Sequence, residues 1–418
     1  MTAKVAVVGA GVVGLACAWE LADAGAEVVV LDCGALGAGV SLGNTGWICP
    51  SITAPLPGPG MVREGLRQLV TRGDAFVLRP RADAVYARWL LAFRRSCAQS
   101  RYEAGMRALL ALNRRTIELY DRYRDRGVEF EMHETGLVVA GLREEGLAYY
   151  RDITRRLRDF GYPGEVDELD ARAAAEVEPA LDGSRICGAL HARLDRYVKP
   201  ETFTAGLAAA LRRNGTEIRE QTAVDAIERR SGGYLVRAGG DAVAAERVVV
   251  AAGLGSLSLV GGEGISMPLV GARGYSVTIA GEGAPPTHAL YLAEAKLGLS
   301  AYDSGVRVAG VFELGATGTE PPRGALAKLL ENARPYLSGW RPDTAAPPTV
   351  WAGLRPTTAD GLPLIGRVPR HDGLFVAAGH AMLGVTLAPA TAAALAPLVL
   401  RDELLPELRP FDPARPTP

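Results

Sequence analysis

The chain has 418 residues, 48% of them apolar, with 50 glycines and a formal net charge of −1. That length exceeds what one small core needs and predicts about two domains of a globular α/β protein, while the near-zero charge excludes a whole-molecule field that would draw it to nucleic acid. Five cysteines (Cys17, Cys33, Cys49, Cys97, Cys187) have an odd count and no close metal-ligand spacing, which argues against a disulfide scaffold or a metal site and fits free thiols in a reducing cytosol.

Lys4–Val8 reads as an apolar strand and runs into Gly9-x-Gly11-x-x-Gly14. A helix follows from Val12 to about Ala24 and stops at Gly25, and a second strand, Glu27–Leu31, ends on Asp32. In such a unit Gly9 permits the tight turn, Gly11 lets the backbone approach a pyrophosphate, and Gly14 lets helix pack on strand. The first helical turn, with Val12 and Val13, points free N–H groups at phosphates, and Asp32 suits a ribose diol. The pattern predicts a bound dinucleotide. Because turn glycines break this apolar stretch, it reads as a strand rather than a secretory leader. No run of 18 uninterrupted apolar residues occurs; Leu387–Leu400 is about one buried helix long and contains two prolines, so no membrane span is predicted.

Residues 50–60 form a proline-rich crossing. From 61 to 127 the pattern is helical and arginine-rich, with Tyr86, Trp89, Leu90 and Phe93 at helical spacing. Two readings of this stretch stay open: a solvated helix pair with an apolar core face, or a basic surface that meets anionic lipid on the inner membrane face. Gly136–Ala140 and Ile186–His191 read as strands around a helix near 145–160, and Pro200–Asn214 as a helix opened by its proline. Strands are predicted within 216–253 and 268–313, and a helix over 325–337. At 374–400 the order strand, glycine turn, helix returns. This return predicts a discontinuous dinucleotide domain (1–60, 198–262 and 350–418) with a second domain inserted in two pieces (61–197 and 263–349).

Further motifs narrow the ligand: Ser41-x-x-Asn44-Thr45-Gly46, Val177-Glu178-Pro179-Ala180-Leu181, Ala251-Ala252-Gly253, Gly274-Tyr275-Ser276, Gly353-Leu354-Arg355-Pro356, Asp360-Gly361, Pro363, Gly366 and Gly379-His380. Together they resemble the D-amino acid oxidase superfamily of FAD enzymes over nearly the whole chain, and within it the bacterial D-amino acid dehydrogenases and glycine oxidases. The resemblance implies a doubly wound, Rossmann-type FAD domain with an inserted α+β substrate domain built on a mixed or antiparallel sheet. It implies that Gly9, Gly11, Val12, Val13 and Gly14 hold the FAD pyrophosphate and Asp32 the ribose, with Cys33 where the family more often has a basic residue. Ser41, Asn44, Thr45, Gly46 and Ile48 lie along pyrophosphate and flavin, Val224 touches the adenine, and Ala252 and Gly253 close over the cofactor. Gly353, Gly379, His380, Met382, Leu383, Gly384, Val385 and Thr386 complete the flavin site, the last four aiming a helix N-terminus at the edge where reduced flavin carries negative charge. No Cys follows 187 and no His precedes 133, where relatives attach flavin covalently, so the FAD is expected to be noncovalent.

The resemblance makes Arg355 the partner of a substrate α-carboxylate, for which only arginine supplies a permanently charged fork. Tyr275 is read either as a hydroxyl donor or wall beside that carboxylate, or as a core tyrosine. Arg273, Lys296 and Tyr302 are candidate pocket walls; His191 and Glu313 are read as structural, and His380 as orienting backbone or tuning the ring. No metal is expected. The implied reaction is oxidation of an amino acid C–N bond, most simply of a D-amino acid, by hydride transfer from Cα to flavin N5, giving an imine and then a 2-oxo acid. Alternatives are a secondary-amine oxidase (glycine, sarcosine or D-proline type), a biosynthetic amine oxidase on an unusual amino acid, a flavin hydroxylase, and a non-catalytic FAD-binding subunit. The acceptor is O2 or a quinone or other electron carrier, and the location cytoplasmic, with peripheral contact at the inner membrane face under the lipid-binding reading.

Overall fold

The computed structural model describes residues 3–63, 75–261, 264–343, 345 and 347–418. Its first layer is a six-stranded sheet ordered Glu217–Arg219, Glu27–Leu31, Lys4–Val8, Arg247–Val250, Leu374–Ala378, Leu364–Arg367. The first five strands run parallel and the last antiparallel. Strands Lys4–Val8 and Glu27–Leu31 are apolar at almost every position because both faces are covered. Val5, Val7, Val28 and Val30 pack toward the helices Val12–Asp23, Pro200–Arg213 and Gly384–Arg401. Ala6, Val8, Val29 and Leu31 pack toward a three-stranded antiparallel ribbon, Val224–Arg230, Gly233–Ala238 and Asp241–Ala245.

The second layer is a nine-stranded mixed sheet. Its order is Thr349–Thr358, Leu269–Ile279, Gly305–Leu314, Leu297–Tyr302, Ala289–Leu292, Leu137–Gly141, Gly188–Ala192, Val166–Asp170, and Phe76–Leu78 also pairs with Gly305–Leu314. Helix Ala325–Ala333 covers one face, with Leu329 and Ala333 in a core shared with Val277, Leu290 and Leu297.

Two placements differ from the expected domain ranges. Thr349–Thr358 pairs along its whole length with Leu269–Ile279, so we place 350–358 with the substrate-side sheet; its near-alternating sequence suits an antiparallel strand rather than a doubly covered one. The arginine-rich stretch forms three helices, Ala84–Ser96, Gln99–Asn113 and Thr116–Asp125, while 64–74 lie outside the described residues. Leu109, Leu112, Leu119 and Tyr120 of the latter two pack into the core around Gly384–Arg401, so we place them with the first layer.

Gly384–Arg401 is long and apolar enough to cross a membrane by composition alone, but most of it is buried between the N-terminal helix and Gln99–Asp125. Pro389 lies inside it and has no N–H to give the carbonyl of Val385. The Tyr120 hydroxyl donates to that carbonyl instead, at 2.8 Å. Tyr120→Phe should therefore strand a buried acceptor and cost about 1–3 kcal/mol, read as a lower urea midpoint.

Asp195 is fully buried and accepts from the Ser51 hydroxyl and, at 3.4 Å, from the Tyr162 hydroxyl. Burial raises its carboxyl to about 7 from an ordinary value of 3.8. A folded-state value above the unfolded one means the folded protein binds more protons between those two pH values, so stability falls as pH rises through 7. Asp195→Asn should remove that dependence, and the melting temperature of the variant relative to the parent should rise from pH 5 to pH 8.

Candidate active site

The glycines of the first turn divide into two kinds. Gly9 has φ +110°, and a Cβ there would lie 2.4 Å from the Ala251 carbonyl oxygen; at Gly14 it would lie 1.9 Å from the Gly9 oxygen. Both are required by packing. A Cβ on Gly11 would meet nothing nearer than Ser41 Oγ at 3.4 Å, so Gly11 leaves its space to a ligand. Helix Val12–Asp23 starts at Gly11 with no side-chain cap, although the Val12 N–H donates to Ser41 Oγ at 3.1 Å. The Asp32 carboxylate accepts from the N–H groups of Ala10 (2.5 Å) and Gly34 (2.7 Å), and its remaining lone pairs are free for ribose hydroxyls. Exposed Cys33 follows it. Thr222 N–H donates to the Asp32 carbonyl at 2.7 Å, which brings the start of the ribbon at Val224 to this corner. Ala252 and Gly253 open the short helix that follows Arg247–Val250. This uncapped helix start, open glycine and flanking acid fit a dinucleotide.

The loop after Asp32 links that turn to the C-terminal one. Asn44 Oδ1 accepts from the Gly46 N–H at 2.8 Å, and its amide donates to the Met382 carbonyl at 3.3 Å. Gly46 has φ +73° and sits so close to the Val198 carbonyl oxygen that a Cβ would lie 1.7 Å from it. The Thr45 carbonyl accepts from the hydroxyls of Ser300 (2.8 Å) and Tyr302 (2.6 Å). Thr386 Oγ1 donates to the Trp47 carbonyl at 2.7 Å, beside buried Ile48. Sequence reasoning missed Arg307, which is buried, pairs with Glu201, and donates to the carbonyls of Leu42 and Asn44, both at 2.9 Å.

At the C-terminal turn Gly379 takes φ +80° and Ala381 φ +49°, and Ala381 N–H reaches the Pro356 carbonyl at 3.0 Å. His380 is buried against Thr391 Oγ1 at 3.0 Å, and desolvation lowers it to about 3. It is neutral at ordinary pH and its ring is tied to a side chain of the C-terminal helix. Exposed Met382 and then Leu383 lead into Gly384, whose helix has no side-chain cap and buries Val385 and Thr386.

Arg355 lies opposite Ala272 in the paired strands, and Gly353 opposite Gly274. Its guanidinium occupies the space over Gly274, where a Cβ would fall 1.8 Å from Nη1. Nη1 donates to the Val311 carbonyl at 2.8 Å. Among the described residues no carboxylate pairs with Arg355, and desolvation lowers it to about 10, which leaves it charged near neutrality. Val311 is β-branched yet has φ +63°, at the register slip between Arg273/Tyr275 and Glu313/Gly310. Such a conformation costs about 1–3 kcal/mol, and the bulge turns the carbonyl toward the arginine. Trp351, also missed, fills the space over Gly43 and Gly353, where added Cβ atoms would lie 1.8 and 2.3 Å from its ring. The two glycines were its signal: each is small because an indole lies on it.

Tyr275 pairs with Ala352 and Gly310, so alternation turns it to the other face of the sheet from Arg355. It lies in the core with Val277, Leu290 and Tyr336, so the structure does not bring Tyr275 to the Arg355 guanidinium. Arg273 pairs with buried Glu313 at 2.6 Å, Lys296 donates to the Tyr150 hydroxyl at 3.0 Å, and Tyr302 holds Thr45. His191 contacts the Thr135 carbonyl at 3.5 Å and stacks edge-on to His288.

A sequence model of the FAD dependent oxidoreductase family, DAO, matches residues 4–398. The chain belongs to that family. A D-amino acid dehydrogenase of Cereibacter sphaeroides is 33% identical to this FAD-dependent oxidoreductase, covering 98% of its chain and 94% of the relative. One from Dechloromonas aromatica is 31% identical over 98% and 99%. Among solved structures, glycine oxidase from Geobacillus kaustophilus superposes with a TM-score of 0.76 at 25% identity, covering 99% of this chain and all of that one. L-proline dehydrogenase from P. horikoshii, at 19% identity and TM-score 0.73 over 99% and 97%, shares the fold. The oxidoreductase is thus a flavoenzyme with FAD as cofactor.

Proposed function

We propose that this FAD-dependent oxidoreductase oxidises the Cα–N bond of a D-amino acid. The observation that carries the reading is Arg355: a charged, desolvated guanidinium with no carboxylate partner among the described residues, fixed over Gly274 by the Val311 carbonyl. Whole-length relatives named D-amino acid dehydrogenase support it. Arg355 binds the α-carboxylate through its fork and so fixes the orientation of Cα. FAD, when bound, supplies the acceptor for the hydride that leaves Cα. The substrate amine reacts as the free base, because its lone pair must form the C=N bond as hydride leaves Cα, and the imine product hydrolyses to a 2-oxo acid and ammonia. Asp32 and the Gly9–Gly14 turn hold the adenosine half, and the Ser41–Ile48 loop and Gly379–Thr386 the other half, noncovalently. Support for noncovalent attachment comes from Cys49: it is the thiol beside Thr386, and burial raises it well above the ordinary thiol range, so it is a poor nucleophile.

The glycine oxidase likeness favours a second reading, oxidation of glycine or secondary amines at the same clamp. The dehydrogenase relatives favour a quinone or carrier over O2 as acceptor. Anaerobic bleaching of the flavin band across D-, L- and N-methyl amino acids tests all of this. Bleaching by D-alanine is the expected result, and admitting air or a soluble quinone then identifies the acceptor. Bleaching by sarcosine or proline but not D-alanine selects the second reading, and no bleaching by any of them overturns both.

A further inference from the structure

Trp351 and Arg355 rise from one strand, two positions to either side of Gly353, and so project from the same face of the substrate-side sheet. Both stay partly exposed, whereas Gly353 between them is buried. Beyond the guanidinium that face is closed: Ala272, opposite Arg355, and Leu314, opposite Ala272, lie in the core with Tyr86 and Trp89. The rest of a ligand held at Arg355 by its carboxylate therefore extends toward Trp351. The indole is a fixed wall there. Its six-membered ring lies with Cζ2 against Gly353 of the sheet and with Cε3, the opposite corner, against Gly43 of the Ser41–Ile48 loop; a Cβ at these glycines would fall 2.3 and 1.8 Å from those atoms. The loop is pinned over the ring, because Arg307 donates to the carbonyls of Leu42 and Asn44, on either side of Gly43, both at 2.9 Å. A ring wedged between sheet and loop limits the size of what lies beside it, since close-packed protein yields little to added methylenes.

We infer that Trp351 is a specificity-determining residue: wedged between Gly43 and Gly353 beside Arg355, it admits substrates with a small Cα substituent and excludes branched or bulky ones. The inference rests on the reading of Arg355 as the carboxylate partner.

The test is titration of the FAD-loaded full chain with two 2-oxo acids, pyruvate and 4-methyl-2-oxopentanoate, followed through the flavin band. Both are aliphatic, so stacking on the indole does not enter. The parent is expected to bind pyruvate at least roughly tenfold more tightly than the branched acid. Trp351→Ala should lower that ratio at least roughly tenfold, and Trp351→Leu, which keeps an apolar filler between the two glycines, at least roughly threefold. If Trp351→Ala purifies without FAD, Trp351→Leu decides alone. Pyruvate binding that is lost in Arg355→Ala, together with a ratio unchanged by the Trp351 substitutions, overturns the wall and leaves the clamp standing. Pyruvate binding that survives Arg355→Ala, or no response of the parent to either acid, overturns the clamp and the wall together.

Discussion

Arg355→Ala is expected to lower kcat/KM for an amino acid substrate by about 10²- to 10³-fold while leaving FAD content and the flavin spectrum unchanged. Removing one partner of a desolvated, hydrogen-bonded charge pair costs about 3–4 kcal/mol, which is that factor. Arg355→Lys keeps the charge without the fork and should recover only part of the loss. Gly274→Ala leaves the arginine in place but sets a methyl 1.8 Å from its Nη1, so it should raise KM more than it lowers kcat. The clamp also predicts an opposite effect on stability. The guanidinium is desolvated, with no carboxylate partner among the described residues, a cost the fold bears for its substrate, so the melting temperature of Arg355→Ala should equal or exceed that of the parent. Steady-state kinetics with a thermal melt check both; an unchanged kcat/KM would remove Arg355 from the mechanism.

The second large effect concerns the first turn, where neighbouring glycines should fail in different ways. Gly14→Ala forces a methyl to 1.9 Å from the Gly9 carbonyl oxygen. Helix and strand must then separate, so both folding and flavin binding suffer, and the protein should purify with little FAD and a lowered apo-protein melting temperature. Gly11→Ala meets only Ser41 Oγ at 3.4 Å. Its apo-protein melting temperature should match the parent's, yet FAD affinity should fall by at least roughly tenfold, since the methyl stands where the cofactor backbone approaches. Apo-protein melts and FAD titrations separate the cases. If Gly11→Ala binds FAD normally, the cradle faces elsewhere.

How legible the molecule was depended on the range of the interaction. Lys4–Asp32 could be read almost residue by residue, because strand apolarity, turn glycines and the following acid are all local, and the helix bounds agree to within one residue. Arg355 stood out through its flanking Gly-Leu-Arg-Pro. Its position over Gly274 did not, because that needs the register of two strands about eighty residues apart. Tyr275 had two open readings for the same reason: adjacent to Gly274 in sequence, it projects to the other face, into the core. Arg307 was one of many arginines until the fold brought it against the Leu42 and Asn44 carbonyls. Val311 carried no signal, since a β-branched residue in a left-handed conformation contradicts its own preference; strain of that kind is visible only in the fold.

The order of strands in the dinucleotide-binding sheet also governs how the enzyme is made. Lys4–Val8 pairs with Glu27–Leu31 at once, but its other neighbour is Arg247–Val250, and that strand in turn awaits Leu374–Ala378. At ribosomal speeds of about 5–20 residues per second, roughly tens of seconds separate the first strand from the last. Until then a bare apolar edge faces solvent or a chaperone, and under the proposed assignment of Gly379–Thr386 to the flavin ring the cofactor is captured only after the final strand has been made.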